Sequence, residues 1–318
     1  MRRPALILFV LICCLPLSAQ THITFVPQWT PQAQFAGYYI ALEKGYYAEE
    51  GLDVDIRHLG VNSTLSSQAL LEDGSAQIVG LQLLPAIVAR SKGVKLRNVF
   101  QLTQNNALWC VSHTPIISPL SLDGLKIGKW KVGYSEICDI VQNSLGLDVQ
   151  WVPFIKGINL YVYGAVDATL CYSYSEFIQL RLAVGDIPQD HILKFSEWGY
   201  NYPEDGLYVM DRYYARHSED IDKFVRASKR GWDYVREHQE EALDLCWRYI
   251  DEAHVSTNET QQRLMLQEYL RLQVNQLTGE ADYAPCTDDV FDSIVGKLLN
   301  AGLIDRSVSL NELYYEGF

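Results

Sequence analysis

Residues 23–59, ITFVPQWTPQAQFAGYYIALEKGYYAEEGLDVDIRHL, change hydrophobic period twice, and that change constrains the fold more than any other feature of the chain. An apolar run at residues 23–26 is followed by Phe35, Tyr38, Tyr39 and Leu42, at the i, i+3, i+4, i+7 spacing that places side chains on one helical face. Gly45 is suited to end that helix, residues 46–50 to add one turn, and Gly51 to release the chain into LDVDIRH. There Leu52, Val54 and Ile56 alternate with Asp53, Asp55 and Arg57, the period-2 pattern of a strand. The succession predicts a strand-helix-strand unit. In such a unit the loop after the first strand, residues 27–31, lies at the carboxyl edge of a parallel sheet, where open α/β sheets bind ligands. Trp29 in that loop is therefore a candidate ligand contact.

The same rhythm continues. Asn62, Ser63 and Thr64 are predicted to cap a helix carrying Leu65, Ala69 and Leu70, with Gly74 ending it. Backbone N–H groups at such a cap serve the helix or donate to an anion or polar ligand, and both roles stand open for these three residues. Strands are expected at residues 76–80, 96–102, 108–112, 149–154, 166–170, 192–195 and 207–210, with a helix at 83–91. Residues 131–134 lead into Ser135 at a helix start, a second strand-to-helix turn facing a cleft. Residues 166–170 run into CYSYSEFIQLRLAVG, where Glu176 sits in a first helical turn and either complements the helix dipole or meets a ligand. The last third reads as helical, with Ser256 and Glu259 in a capping-box pattern and a stripe from Val290 to Leu299 before Gly302.

Length and composition bound what this chain can be. At 318 residues it exceeds the size at which single cores stop growing, which predicts two lobes. The first nineteen residues read as an export signal: Arg2 and Arg3, an apolar core at 5–15 too short to span a bilayer, and a cleavage site at Leu17-Ser18-Ala19. Cys13 and Cys14 raise a lipoprotein alternative, but Ile12 and Cys13 are not the small residues that should precede a lipidated cysteine. Without Arg2 and Arg3 the chain has 24 basic against 39 acidic residues, a net charge of −15, which makes nucleic acid an unsuitable partner. Five cysteines remain, an odd number without a CxxC, read as buried apolar side chains with room for one disulfide in an oxidising compartment. The seven histidines show no ligand spacing, so no metal is expected.

The run QWTPQAQFAGYYIALEKGYYAEEGLDVDI and, further on, NYPEDGLYV carry a resemblance to a known family. They are similar to periplasmic substrate-binding proteins of ABC transporters, in the group for nitrate, sulfonates, taurine and thiamine pyrimidine precursors. Within it the chain most resembles the pyrimidine-precursor binders and the related fungal pyrimidine synthase. The resemblance implies a type II periplasmic-binding architecture, two doubly wound α/β lobes joined by a two-segment hinge: 20–107, 108–206 as the second lobe, and 207–318 returning to the first. It implies a periplasmic monomer that closes on a small heteroaromatic solute and hands it to an inner-membrane permease with its ATPase, without a cofactor. A binder of nitrate or a sulfonate, and an extracytoplasmic sensor, are the alternatives.

The fungal synthases carry a lysine for pyridoxal phosphate and a histidine, whose positions here resemble Leu81 and Pro85, and a cysteine cluster replaced here around residues 199–203. Leucine forms no Schiff base, so a binder rather than an enzyme is expected. In the YSYSEFIQL stretch Glu176 matches the glutamate of the pyrimidine binders, while Tyr174 replaces their asparagine. The expected pocket is Trp29 with Tyr38 or Tyr39 and Tyr172 around a ring, Glu176 on its amine, and Asn62, Ser63, Thr64 and Ser135 as further contacts. Lys129, Lys131 and Arg181 leave an anion open at this point. The exported protein should begin at or near Gln20; intact-mass measurement checks this, and a lipid adduct on Cys13 or Cys14 would refute it.

Overall fold

The β1 strand, Thr21–Val26, pairs in parallel with β2, Leu52–Ile56, in the register Ile23 to Val54. The crossover between them holds α1, Ala36–Glu43, and the short α2, Tyr46–Glu49, separated by Gly45 in the left-handed region at φ 76°. This is the unit that residues 23–59 predict. The structure, a computed structural model, describes residues 20–60, 63, 65–131, 133 and 136–315. The export signal and the candidates Asn62, Thr64 and Ser135 lie outside the described residues.

Next come α3, Ser67–Asp73, β3, Ile78–Gln82, α4, Leu83–Ser91, and β4, Leu96–Gln101. The chain then passes to a second sheet through β5, Leu108–Ser112, β6, Lys126–Trp130, α5, Glu136–Leu145, β7, Gln150–Phe154, α6, Asn159–Val162, β8, Ala168–Tyr172, α7, Glu176–Val184, and β9, Ile192–Lys194. It returns through β10, Asp205–Met210, and ends in α8, Asp211–Glu237, α9, Gln239–Glu252, α10, Glu259–Leu272, α11, Asp288–Asn300, and α12, Leu310–Leu313. The strand orders are β2-β1-β3-β10-β4 and β7-β6-β8-β5-β9.

In each sheet one antiparallel strand lies among parallel ones, and that decides which residues meet. β10 runs against β3 and β4, so it begins where β3 ends, with Asp205 opposite Gln82. β5 runs against β8, with Leu108 opposite Tyr172. The carboxyl edges of both sheets therefore receive the segments that cross between them. These segments are bonded to each other: the Glu204 carboxylate accepts from the Asn106 amide at 2.6 Å and from the Ala107 N–H at 3.0 Å, and the Asp205 N–H donates to the Thr103 hydroxyl at 2.9 Å.

Sequence expectations are corrected at four points. α3 is capped by Ser66, whose hydroxyl accepts from the Ala69 N–H, so Leu65 falls outside the helix and is exposed. α10 is capped by Asn258, not by a box at Ser256, because Asn258 takes the extended conformation from which its side chain reaches the Gln261 N–H. A capping box does form, at Ser309 with Glu312. β6 was not expected, since Lys126-Ile127-Gly128-Lys129-Trp130 has two lysines and a glycine in five residues. Residues 205 and 206, assigned from sequence to the second lobe, pair with Gln82 and Leu81 in the first sheet.

α1 and α8 cross where both present glycine. A Cβ on Gly231 would lie 2.0 Å from the Gly37 carbonyl oxygen, and one on Gly37 would lie 2.3 Å from the fully buried ring of Trp232. Because the first obstacle is backbone, no rotamer change relieves it. Gly231→Ala should destabilise the protein by about 1–3 kcal/mol or more, the usual cost of overpacking a well-filled core. Urea unfolding of wild type and variant checks this, and equal midpoints would refute the close crossing.

Candidate functional site

The loop that leaves β1 supplies one wall of a cavity at the sheet edges, and the fold holds this loop by its backbone. The Ala33 N–H donates to the side chain of Gln262 on α10 at 2.7 Å. The carbonyl of Trp29 lies 2.6 Å from Nδ1 of His58, whose Nε2 lies 2.8 Å from the Tyr39 hydroxyl. A carbonyl only accepts, so Nδ1 carries the proton and Nε2 accepts from Tyr39, the neutral tautomer. Burial favours the same state and pushes the His58 pKa down to about 4. Gln28 lies over Gly80, where a Cβ would come within 2.2 Å of its Oε1 and 3.2 Å of its backbone nitrogen, so glycine in β3 lets the Gln28 side chain keep this place.

The opposite wall comes from the second sheet: Trp130 at the end of β6, and the turn Tyr172-Ser173-Tyr174-Ser175 between β8 and α7. Tyr172 stacks on Tyr174 with centroids 5.3 Å apart and leans on Trp130 at 5.2 Å. Glu176 folds back so that its carboxylate accepts the Tyr172 N–H at 3.2 Å. It is only 8% exposed, and burial raises its pKa, partly offset by the N–H groups of Tyr172 and of Glu176 itself and by the Ser175 hydroxyl.

Asp205 lines the same cavity from the first sheet. Its Oδ2 accepts from the Gln34 amide at 2.6 Å and the Tyr269 hydroxyl at 2.7 Å, while Oδ1 has no hydrogen-bond partner among the described residues although Asp205 is only 3% exposed. Burial raises its pKa, and Tyr269, Gln34, Gln28 and Gln82 hold it down in that order. Gln32 donates to Gln34 and completes a chain of amides leading to this carboxylate. The walls are also joined directly: Gln82 donates to the Tyr172 hydroxyl at 2.8 Å, Ser173 to Glu268 at 2.7 Å, and Gln34 to the Tyr174 hydroxyl at 3.3 Å.

The cavity is open on one side and spans about 360 Å³ with the solvent at its mouth included. Trp29, Gln32, Ser175 and Glu176 are shared with a larger groove of about 1180 Å³ that also includes Lys156, His254 and Gln261. Among the described residues no lysine or arginine lines the deeper cavity. Lys129 pairs with Asp139 at 2.9 Å, Arg181 with Asp186 at 3.3 Å, and Lys131 is exposed. No three His, Cys, Asp or Glu side chains among the described residues come together as metal ligands, and the five cysteines are free thiols, four of them buried.

Of the residues singled out in the sequence, Trp29, Tyr172 and Glu176 come together at the cavity. Tyr38 and Tyr39 do not: at 3% and 0% exposed they point into the core under the loop, Tyr38 against Phe25 and Trp232, Tyr39 stacked on Tyr249 at 3.9 Å. Helical period marks a buried face without saying whether it meets a ligand, which is why the two were misplaced. Ser63 is exposed and bonds locally with Leu65. Leu81 is buried in β3, and Pro85 lies in α4. Sequence reasoning did not select Gln28, Gln32, Gln34, Trp130 or Asp205 as contacts. The available signal for Asp205 was the acidic pair in NYPEDG at the return to the first sheet.

Two sheets of strand order 2-1-3-n-4, exchanging chain through paired crossovers and enclosing a cavity at their carboxyl edges, define a periplasmic-binding-protein fold. Residues 32–242 match the family model described as NMT1/THI5 like, and the chain belongs to that family. It is 26% identical over 306 residues to the riboflavin-binding protein RibY of Chloroflexus aurantiacus, covering 93% of this chain and 86% of that protein. It is 30% identical over 237 residues to the formylaminopyrimidine-binding protein of Halalkalibacterium halodurans, covering 71% and 70%. In structure it is similar to the periplasmic aliphatic sulphonate binding protein SsuA of Escherichia coli, with a TM-score of 0.64, 14% identity and coverage of 91% and 95%.

The His58 linkage has a definite sign. Its pKa is depressed in the fold, so the unfolded chain binds the extra proton first, and the stability present above pH 6.5 is lost as the pH falls toward 4. The loss should amount to at most about 3 kcal/mol. Urea midpoints between pH 7 and 4 should fall more steeply for wild type than for His58→Gln; parallel curves would refute the assignment.

Proposed function

We propose that this protein is the solute-binding component of an ABC importer, exported to the periplasm, and that it binds an aminopyrimidine of the thiamine-precursor type between its two sheets. The observation that carries this reading is the cavity's chemistry: rings of Trp29, Trp130, Tyr172 and Tyr174 around two buried carboxylates, Glu176 and Asp205, with no lysine or arginine among the described lining residues. Flat aromatic walls suit a flat ring, and carboxylates accept from exocyclic amines. Nitrate or a sulfonate fits poorly, since an anion buried beside carboxylates without cations is strongly disfavoured. The formylaminopyrimidine-binding relative supports the same ligand class. The partners in this reading are a permease and its ATPase; a sensor would use the same cavity. Leu81 at the apparent lysine position argues against pyridoxal phosphate chemistry.

A flavin is the second reading. The deep cavity shares Trp29, Gln32, Ser175 and Glu176 with the 1180 Å³ groove, which offers space for substituents larger than a pyrimidine's, and the RibY relative binds riboflavin by name. Titration calorimetry with 4-aminopyrimidine and pyrimidine, beside quenching of riboflavin fluorescence, separates the two.

Trp29→Ala should weaken both pyrimidines alike, by several-fold to about tenfold from lost stacking. Glu176→Gln should weaken the amine by roughly ten- to a hundredfold and affect pyrimidine much less. Equal losses for both ligands in Glu176→Gln, or unchanged binding in Trp29→Ala, would remove this pocket, and tight riboflavin binding without pyrimidine binding would favour the second reading.

A further inference from the structure

Asp205 is placed as a contact residue that nothing in the helical or strand periodicity of the chain explains. It is buried at the start of β10, yet it lines the cavity, and among the described residues Oδ1 has no hydrogen-bond partner. An unpaired carboxylate oxygen out of water is costly, and such an oxygen at the wall of a binding cavity is matched by a donor that arrives with the ligand. The fold relieves the cost only in part: the amides of Gln28 and Gln82 face this carboxylate and hold its pKa down, but neither hydrogen-bonds Oδ1. Oδ2 takes the Gln34 amide at 2.6 Å and the Tyr269 hydroxyl at 2.7 Å, so neither donor serves Oδ1. Its sequence neighbour Glu204 is bonded elsewhere, to the Asn106 amide and the Ala107 N–H, so it does not compete for a ligand donor.

We propose that Asp205 is a specificity-determining residue that reads a second N–H donor on the ligand. Glu176, on the wall from the other sheet, reads the first. The cleft thus selects heteroaromatic rings with donors on two separate edges, such as diamino-substituted rings or rings bearing an amine and an aminoalkyl group. Rings that present carbonyl oxygens toward Asp205 are rejected, because two acceptors would face each other without a proton between them. Because the two carboxylates come from different sheets, a ligand with both donors also ties the sheets together, whereas a ligand with one donor satisfies only one of them. This inference rests on the heteroaromatic reading of the cavity and adds the number and placement of ligand donors to it.

The test is calorimetric titration of the full mature chain with 2,4- and 2,5-diaminopyrimidine, 4-aminopyrimidine and uracil. Wild type should bind the better diamine at least about tenfold tighter than the monoamine, the scale of a hydrogen bond to a charged group. Asp205→Asn turns an acceptor into a donor at the position of Oδ1. It should bring the diamine and monoamine to within about threefold of each other and narrow the gap to uracil. Tyr269→Phe removes a partner of Oδ2 and leaves Oδ1 in place; it should lower the melting temperature but preserve the diamine preference. A wild type that binds 4-aminopyrimidine without preferring either diamine overturns the inference and leaves the heteroaromatic reading intact, as does a folded Asp205→Asn that keeps the preference. A wild type that binds none of the four rings overturns both. Should Asp205→Asn fail to fold, the wild-type preference and its survival in Tyr269→Phe decide the matter, and a preference lost in Tyr269→Phe counts against Oδ1.

Discussion

The insertion of β10 between β3 and β4 is the constraint on which the site depends. A strand entering a parallel sheet from the opposite direction starts at the edge where its neighbours stop, so residues 201–205, remote in sequence from the first lobe, arrive at the same edge as the loop after β1. The same geometry brings the two crossing segments side by side. Their polar groups are out of water and must find partners, and they find each other: Glu204 with Asn106 and Ala107, Asp205 with Thr103, Asn201 with Asn105 and Asn106. These bonds fasten the two crossing segments to each other where the sheets meet.

The electrostatics of the cavity follow from burial more than from charge count. Glu176, Glu204 and Asp205 are all buried, and desolvation is the largest influence on each, raising all three pKa values. Fixed dipoles work against it: the amides of Gln34, Gln28 and Gln82, the Tyr269 hydroxyl, and the backbone N–H groups of Tyr172 and Ala107. The buried carboxylates make this cavity wall acceptor-rich, a setting in which, in the proposed reading, a ligand donor counts for more than it would at the surface. The basic side chains of Lys129 and Arg181 do not line it and pair instead with Asp139 and Asp186.

Rigidity of the aromatic wall is supplied from beneath. Tyr39 donates to His58, and His58 donates to the carbonyl of Trp29, while Gln262 holds the Ala33 N–H from another helix. Tyr39 thus serves the cavity without touching it. In the proposed reading, a ring held in place before the ligand arrives loses less freedom on stacking, and the buried relay supplies that hold.

What the sequence by itself determined is the set of local elements. Period 3.6 between two period-2 runs defined the first βαβ unit, glycines at 45, 51 and 74 ended helices or turns through positive φ, and the strand-to-helix turn at 172–176 marked Tyr172 and Glu176. Local propensity and pattern act within ten or so residues, so these features were visible without knowing the partners. Only the tertiary structure decided the rest. Whether Tyr38 and Tyr39 faced a ligand or the core depended on α8 and α9 packing over them, and Trp130 became a wall because the weakly patterned Lys126–Trp130 is held between two parallel neighbours. Asp205 became part of the site because an antiparallel strand delivers its first residue to the edge where β3 ends. Hydrophobic period records that a side chain is buried; the contacts that bury it are set by chain segments a hundred residues away.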